Sequence, residues 1–287
     1  MDDYRLNVNW EKFFFDDYKI VVFDDLNKKK HKCHYIIDAK WSGKITDDRY
    51  KNLIPKKCIK LLGPKYAIIN KKLDKNKIKK NILIYFGGAG DLSKYYKLIL
   101  QFCEGNKILK KKMKLDLIIG PLAFNYKKII NLRKKFKFLN IIINKFDLSD
   151  YLNKCKFAFS SSSSIIYELN YLNIPSCLFS TSNNQENKIP DLEDLGFYLN
   201  VNIKKFKNFS KSKLLFKSLL TNLNKIKKLQ NKKKVIIDNK GIKRIVSILN
   251  KKNSNIIIKN NTFKKVPKNK NDFFKINDSF INKYLKF

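Results

Sequence analysis

The strongest constraint on the fold is a regular alternation of short apolar runs with longer lysine-bearing stretches of helical spacing. Short apolar runs bounded by polar residues or glycine are typical of strands, and the stretches between them are long enough for crossover helices. The strand candidates are residues 19–25, 35–38, 58–63, 81–90, 114–120, 140–144, 156–160, 174–180 and 198–202. The predicted helices include 91–105, which Gly105 should end, 125–136 and, after the last strand, 210–229. Strands joined by helices pair in parallel and need cover on both faces. The sequence therefore predicts an α/β fold.

The strand candidates fall into two groups on either side of a lysine-rich connection. Residues 81–202 predict one compact α/β unit of about six strands, and residues 1–65 predict about three strands of a similar unit. The connection between the groups contains Pro64 and then dense lysine. We therefore expect a partial N-terminal domain over 1–65, a second α/β domain over 66–250 and a polar Lys/Asn-rich tail over 251–287.

The net charge of +39 at first suggests a nucleic-acid-binding protein. However, four of the 63 basic residues are arginine and the rest are lysine. Arginine is the residue best suited to two-pronged contacts with phosphates and bases. Lysine, asparagine, isoleucine and phenylalanine are abundant, as an AT-biased genome would dictate. We therefore attribute the charge to codon bias and expect no specific nucleic-acid partner.

Five widely spaced cysteines show no paired framework, which favours a reducing compartment. No run approaches the ~18 apolar residues of a membrane span. The opening MDDYRLNVNW does not resemble a signal peptide. The sequence therefore favours a cytoplasmic protein with no membrane association.

A glycine turn follows one of the predicted strands and precedes a predicted helix. Gly87, Gly88 and Gly90 lie in the stretch YFGGAGD. Ligands of parallel sheets bind beyond the carboxyl ends of the strands, and glycine lets the backbone approach them. A tight turn without a ligand is at least as good an interpretation. The spacing matches neither the P-loop nor the dinucleotide-binding pattern.

Five consecutive serines, residues 160–164, occupy the same kind of position between a strand and a helix. Hydroxyl groups there offer donors to a diphosphate, and Glu168 follows one helical turn after Ser164, where it could accept the hydroxyls of a ribose. A serine cap with an acidic first turn is the alternative. A third strand end places Asn184 and Gln185 after residues 174–180.

Both histidines of the chain lie in HKCH, at His31 and His34 on either side of Cys33. A zinc site usually takes ligands from two separated pairs, and the sequence has no second Cys/His pair. We interpret the stretch as a loop beside a strand and expect no metal site. Two neighbouring histidines also do not build a nucleophilic triad.

Seven stretches, in this order along the chain, match the pattern of one enzyme family. They are MDDYRLNVNWE (1–11), IVVFDDLNKKKHKCHYIIDAK (20–40), IKLLGPKYAIIN (59–70), ILIYFGGAGD (82–91), SSSSSIIYELNYLNIPSCLF (160–179), STSNNQ (180–185) and DNKGIKRIVSIL (238–249). Together they cover residues 1 to about 250. The set resembles the UDP-sugar hydrolases of pseudaminic acid biosynthesis, which release UDP from UDP-2,4-diacetamido-2,4,6-trideoxy-β-L-altropyranose.

The resemblance implies a GT-B-like α/β fold, in which two Rossmann-like units flank a ligand cleft. The N-terminal unit would be incomplete, because Met1 stands where the family pattern VDHYGLD has its valine. The family's first strand, glycine-rich loop and water-assisting histidine precede that point. The catalytic group is therefore unassigned, this chain could be inactive through truncation, and a separate chain could supply the segment. The implied reaction is attack of water at the anomeric carbon, without a cofactor or metal.

The resemblance also implies the residues that contact the UDP-sugar. Ser162, Ser163 and Ser164 would lie near the diphosphate, and Glu168 would hold the ribose. The remaining contacts would be Tyr4 to the sugar, Asn184 and Gln185 to the sugar and phosphates, and Gly87 and Gly88 as lining of the cleft. Serine replaces the family's glycine at 162 and 163, where a positive φ would suit serine poorly.

Three other functions remain open on the sequence alone. A UDP-sugar glycosyltransferase of the same fold has similar loops and a ribose-binding glutamate. A non-catalytic UDP-sugar-binding remnant would fit the absent N-terminal segment. A nucleic-acid-binding protein is the third, and it would lose affinity steeply with salt.

Overall fold

The computed structural model describes residues 8–108, 114–181, 185, 188–197, 200–202, 228 and 231–251. The strands are β1 (Val21–Phe23), β2 (Tyr35–Asp38), β3 (Ile59–Leu62), β4 (Asn81–Tyr85), β5 (Ala89–Asp91), β6 (Leu115–Ile119), β7 (Leu122–Phe124), β8 (Leu139–Ile143), β9 (Cys155–Ser161), β10 (Ser176–Ser180) and β11 (Asn200–Asn202). The α-helices are α1 (Val8–Phe14), α2 (Tyr96–Ile108), α3 (Lys127–Ile130), α4 (Leu132–Lys135), α5 (Ser149–Asn153), α6 (Ile165–Tyr171), α7 (Ile189–Asp194) and α8 (Gly241–Lys251).

The chain divides into two compact units, Met1–Ser247 and Ile248–Phe287. The first unit holds all the sheets described below. The predicted boundary between an N-terminal and a second α/β domain stays a prediction. The helix predicted over 210–229 lies almost wholly outside the described residues. No helix of the described ranges has both the length and the apolar character needed to cross a bilayer.

The N-terminal strands form a small parallel sheet in the order β1-β2-β3. Its central strand, β2, is buried along its whole length, as a run of apolar residues between two neighbours should be. The core beneath it is small and includes Ile20, Val22, Ile36 and Tyr50. The prediction of about three strands in this part of the chain is confirmed, whereas α1 was not predicted.

A larger parallel sheet follows, with the order β11-β10-β9-β4-β6-β8. The chain starts in the middle at β4, proceeds outward through β6 to β8, returns to β9 on the other side of β4 and continues to β10 and β11. This is the 3-2-1-4-5-6 order of doubly wound dinucleotide-binding sheets. The direction of winding reverses between β4 and β9, which are direct neighbours. The prediction of a six-stranded parallel unit over 81–202 is confirmed.

Successive side chains of β4 pack into two separate hydrophobic cores, one on each face of the large sheet. Ile82 and Ile84 of β4 pack into the cluster that contains the α2 side chains Leu98 and Phe102. Leu83, between them, packs into the cluster on the other face, with residues of α5, α6 and α7. Helices therefore cover both faces, as the apolar strands require.

The structure corrects three details of the predicted helices and strands. The helix expected to end at Gly105 continues to Ile108, because Gly105 is buried and its packing outweighs the low helix propensity of glycine. The single helix predicted over 125–136 is instead the two short helices α3 and α4. A two-stranded parallel sheet of β5 and β7 was not predicted.

The connection between the sheets is part of the folded core. Ala67, Ile69 and Leu73 are buried in the cluster that contains α5 and α6. The side-chain amide of Asn70 donates a hydrogen bond to Asp147, with a distance of 3.0 Å from Nδ2 to Oδ1. The connection therefore packs against the large sheet despite its lysine-rich sequence.

Replacement of Phe102 by alanine tests the core on the α2 face. Phe102 is fully buried and stacks on Phe159 with a ring-centroid distance of 4.2 Å. We expect Phe102→Ala to lower the free energy of unfolding by about 3–5 kcal/mol in urea titrations, because it leaves a cavity. Phe146 is 71% exposed, so Phe146→Ala should change that free energy by less than about 0.5 kcal/mol. Equal losses of stability for the two variants would contradict the placement of Phe102 in the core.

Candidate functional site

The carboxyl ends of β4 and β9 meet at the point where the winding of the sheet reverses. The glycine turn follows β4, and the serine run ends β9. Gly87 has a φ of +108°, and a Cβ added to it would lie 3.7 Å from the Ser161 hydroxyl oxygen. The neighbouring Gly88 packs so closely on Gly120 that a Cβ on Gly120 would lie 2.4 Å from the Gly88 Cα. The glycine turn and the serine run, identified separately in the sequence, are thus adjacent.

The serine run forms a strand-to-helix turn. Ser160 and Ser161 belong to β9 and are buried, while Ser164 precedes α6 and is exposed. The hydroxyls of Ser161 and Ser163 are 2.9 Å apart. The described non-glycine residues with positive φ are all asparagines: Asn27, Asn125, Asn144 and Asn173. Ser162 and Ser163 therefore adopt their turn without backbone strain, and serine can replace glycine at these positions.

Gln185 fixes the serine turn from the neighbouring strand end. Its backbone carbonyl accepts a hydrogen bond from the Ser162 hydroxyl at 2.8 Å. Its side-chain Oε1 accepts hydrogen bonds from the backbone N–H and the hydroxyl of Thr181, at 3.1 and 2.8 Å. The turn and the end of β10 are therefore tied together. Asn184 and Tyr4 lie outside the described residues.

A cleft of about 570 Å³ lies between the carboxyl ends of the small and large sheets. The large sheet contributes Ser162, Ser163, Ser164, Ile166, Tyr167 and Gln185 to its lining. The small sheet and the connection contribute Phe23, Asp24, Asp25, Ile37, Asp38, Ala39, Lys40, Tyr66 and Ile68. One wall is therefore rich in hydroxyls and the opposite wall is rich in carboxylates.

The carboxylate wall is held by a buried polar network that the sequence did not predict. Asp38 pairs with Arg49, at 2.8 Å from Oδ2 to Nη1. The Tyr50 hydroxyl lies 3.0 Å from Asp38 Oδ2 and 2.9 Å from Asp24 Oδ2. Burial raises the pKa of Asp38 to about 6 even though the Arg49 charge opposes the rise. Tyr50 has one hydroxyl proton, so it donates to one of the two carboxylates at a time.

His31 is buried between two carboxylates behind this wall. Its Nδ1 is 2.7 Å from Glu11 Oε1, and its Nε2 is 3.7 Å from Asp24 Oδ2. The contact with Asp24 is an ion pair, because 3.7 Å is too long for a hydrogen bond. Burial alone would lower the pKa of His31, but the two carboxylates raise it to about 9. His31 is therefore a cation at neutral pH.

The other members of HKCH also have structural partners. His34 stacks on Phe15, and its Nδ1 accepts the backbone N–H of Ile20. Within the described ranges, no group of three or more His, Cys, Asp or Glu side chains is arranged to hold a metal ion.

Glu168 lies beside the cleft rather than in its lining. It is half-buried on α6, and its carboxylate accepts the backbone N–H of Asn70. Burial raises the pKa of Glu168, since the Asn70 hydrogen bond offsets only part of the desolvation. Gly87 and Gly88 also stand next to the lining residues and not among them.

The pH dependence of unfolding in a His31→Gln variant tests whether His31 is a buried cation. A raised histidine pKa contributes stability fully below the unfolded value of 6.5, and that contribution is lost as pH rises through about 9. The unfolding free energy of the unaltered chain minus that of His31→Gln should therefore be flat below pH 6.5 and fall by about 3 kcal/mol up to pH 9.

His34→Gln is the matched control for this measurement. Burial and then Lys19 and Lys32 lower the pKa of His34, so its titration lies below the tested range. The difference curve for His34→Gln should be flat from pH 7 to 9. A flat curve for His31→Gln as well would contradict the buried cation.

No protein-family model matches the chain, and no curated protein matches it in sequence. The structure is similar to that of Acinetobacter baumannii MurG, with a TM-score of 0.50 and 13% identity over 76% of this chain and 66% of that chain. It is similar to UDP-GlcNAc 2-epimerase from Neisseria meningitidis bound to UDP-GlcNAc, with a TM-score of 0.50 and 17% identity over 76% of this chain and 62% of that one. The chain thus spans less than two thirds of both structures. These similarities confirm the predicted GT-B-like α/β fold class.

Proposed function

We propose that the cleft binds a UDP-sugar and that the chain is a UDP-sugar hydrolase acting on UDP-2,4-diacetamido-2,4,6-trideoxy-β-L-altropyranose. The observation that carries the proposal is the position of the serine turn and the glycine turn, which flank the reversal point of a doubly wound sheet. Ligands of such sheets bind at that point. The ordered sequence resemblance gives the substrate and reaction. The similar epimerase structure contains UDP-GlcNAc, which also supports a UDP-sugar ligand.

The charges of the two walls determine how the ligand would be oriented. One wall carries the three carboxylates Asp24, Asp25 and Asp38 and one cation, Lys40, so its excess of negative charge would repel a diphosphate. The hydroxyl-rich wall carries no carboxylate among its described lining residues. The diphosphate therefore lies toward the serine turn, and the uncharged sugar lies toward the carboxylates.

The serines have different capacities to bind the diphosphate. The Ser162 hydroxyl donates its proton to the Gln185 carbonyl, so it has no proton left for a phosphate. The Ser163 hydroxyl is within hydrogen-bond distance of Ser161. Ser164 is exposed and lines the cleft, which makes its hydroxyl the most accessible donor. Glu168, one turn later, is assigned to the ribose.

The remaining assignments rest on the sequence resemblance. We assign Asn184 and Gln185 to the sugar and phosphates, Gly87 and Gly88 to the backbone surface beside the cleft, and Tyr4 to the sugar.

The reaction would transfer the sugar to water. The water oxygen bonds to the anomeric carbon, the bond from that carbon to the diphosphate oxygen breaks, UDP leaves with the electron pair, and the proton lost by the attacking water passes to solvent. Both carboxylate oxygens of Asp38 already have partners, since Oδ2 contacts Arg49 and the Tyr50 hydroxyl and Oδ1 accepts the Lys40 backbone N–H. We therefore give Asp38 a positioning role and assign no general base among the described residues.

Proton NMR of the purified chain with the diacetamido UDP-sugar tests the proposal. We expect free UDP and the trideoxy sugar to appear at a rate that scales with protein concentration. Sugar transfer to an added acceptor, with little product in water alone, would identify a glycosyltransferase instead. Broadened uridine signals without turnover would identify a binding protein. No turnover and no broadening would reject both a hydrolase and a UDP-sugar-binding role.

A charge placed on the serine turn tests the position of the diphosphate. Ser164→Asp should weaken UDP binding about tenfold or more in calorimetric titrations, because a carboxylate would face the phosphates. Asn131→Asp adds the same charge at an exposed position outside the cleft lining and should leave the affinity unchanged. Uridine, which has no phosphate, should bind Ser164→Asp and the unaltered chain equally. Equal UDP affinity for Ser164→Asp and the unaltered chain would contradict the placement.

A further inference from the structure

Two of the five cysteines face each other at the end of the small sheet remote from the cleft. The sulfur atoms of Cys33 and Cys58 are 3.6 Å apart. Cys33 comes just before β2 and Cys58 directly before β3, and these strands pair in parallel. The β2–β3 register, extended by one residue, places Cys58 opposite His34 and so one residue out of register with Cys33. A strand spacing of about 4.8 Å and a rise of about 3.3 Å per residue then put the two Cα atoms about 6 Å apart, within the roughly 4.4–6.8 Å that a disulfide spans. The backbone therefore already permits a bond between the two sulfurs.

Cys58 differs from the other cysteines in its access to solvent. It is partly exposed, while Cys33 is 1% exposed and the remaining three, Cys103, Cys155 and Cys177, are fully buried. A reagent in solution therefore reaches Cys58 first. Cys33 lies behind it as the nearest second thiol.

The electrostatic surroundings also distinguish Cys58. A hydrogen bond with Cys33 lowers the pKa of Cys58 against the effect of burial, and the His31 cation lowers it further. Burial raises the pKa of Cys103 and of Cys155, each to about 12. Cys58 is thus the cysteine with the greatest thiolate character, and the thiolate is the attacking species in disulfide exchange.

We propose that Cys33 and Cys58 form a reversible disulfide when the chain meets a disulfide oxidant such as oxidised glutathione. The Cys58 thiolate attacks one glutathione sulfur, the glutathione disulfide bond breaks, and one glutathione thiolate leaves. The Cys33 sulfur then attacks Cys58 in the mixed disulfide, and the second glutathione leaves with the Cys33 proton. Two protein thiols are oxidised and one oxidised glutathione is reduced to two thiols, so the electrons balance.

The bridge would enclose part of the network that builds the carboxylate wall. The loop from Cys33 to Cys58 contains Asp38, Arg49 and Tyr50. Closing this loop restricts the unfolded chain, so the oxidised protein should unfold at a higher temperature than the reduced protein. The difference should disappear after treatment with dithiothreitol.

Incubation of the full chain with oxidised glutathione, followed by alkylation of the remaining thiols and mass spectrometry of peptides, tests the proposal. We expect two of the five cysteines to escape alkylation and one cross-linked peptide pair to contain Cys33 and Cys58. Dithiothreitol should restore all five alkylated cysteines. A lasting glutathione adduct on Cys58 without the cross-link, a cross-link to another cysteine, or no reaction would each overturn the proposal.

Two variants separate the roles of the two thiols, and a third variant serves as a control. Cys33→Ser should accumulate the glutathione adduct on Cys58, because the second thiol is gone. Cys58→Ser should show neither an adduct nor a cross-link, because Cys33 is buried. Cys103→Ser should cross-link like the unaltered chain. The peptide map of the unaltered chain decides the outcome even if a variant fails to fold.

Discussion

The pairing of β4 with β9 is the contact on which the rest of the molecule depends. These strands are sequentially remote, since β6 and β8 lie between them in the chain, yet they are direct neighbours in the sheet. The sheet can therefore grow outward on both sides, and both strands are flanked and buried. After β4 the chain turns to the helix layer of α2 on one face of the sheet, and after β9 it turns to the layer of α6 on the other face. The two turns therefore diverge, and the crevice between them is where the glycine and serine turns meet.

The small sheet relies on a different kind of interaction at its carboxyl edge. Glu11, His31, Asp24, Asp38 and Arg49 are all buried there or directly behind it. Burying an isolated charge costs several kcal/mol, and the cost is offset only when partners are well placed. Here each carboxylate has a cation or a hydroxyl within reach. A single substitution should therefore cost more than a surface ion pair would, and the alignment of the cleft wall depends on the whole network.

The sequence predicted the strands well because burial on both faces leaves a clear signal. β2 was predicted over its observed residues, and the other strands of the small and large sheets were predicted to within a few residues at each end, whereas the pair β5 and β7 was missed. Helix ends were harder, as Gly105 shows: its burial inside the fold decides its conformation, and no local pattern contains that information. The Tyr50 network was missed for a related reason. Its members are far apart in the sequence, and only the paired strands bring Asp24 and Asp38 to the same hydroxyl.

The arrangement of the cleft also bears on the unusual composition. Lys40 is the one basic residue among the described residues that line the cleft, although the chain carries a net charge of +39. If the lysines had been selected to attract a polyanion, they should concentrate where the ligand binds. The opposite is found, since carboxylates line one wall and hydroxyls the other. The serine surface at the reversal point of the sheet is therefore uncharged. The excess of lysine reflects the overall amino-acid composition of the chain and not a need to bind the ligand.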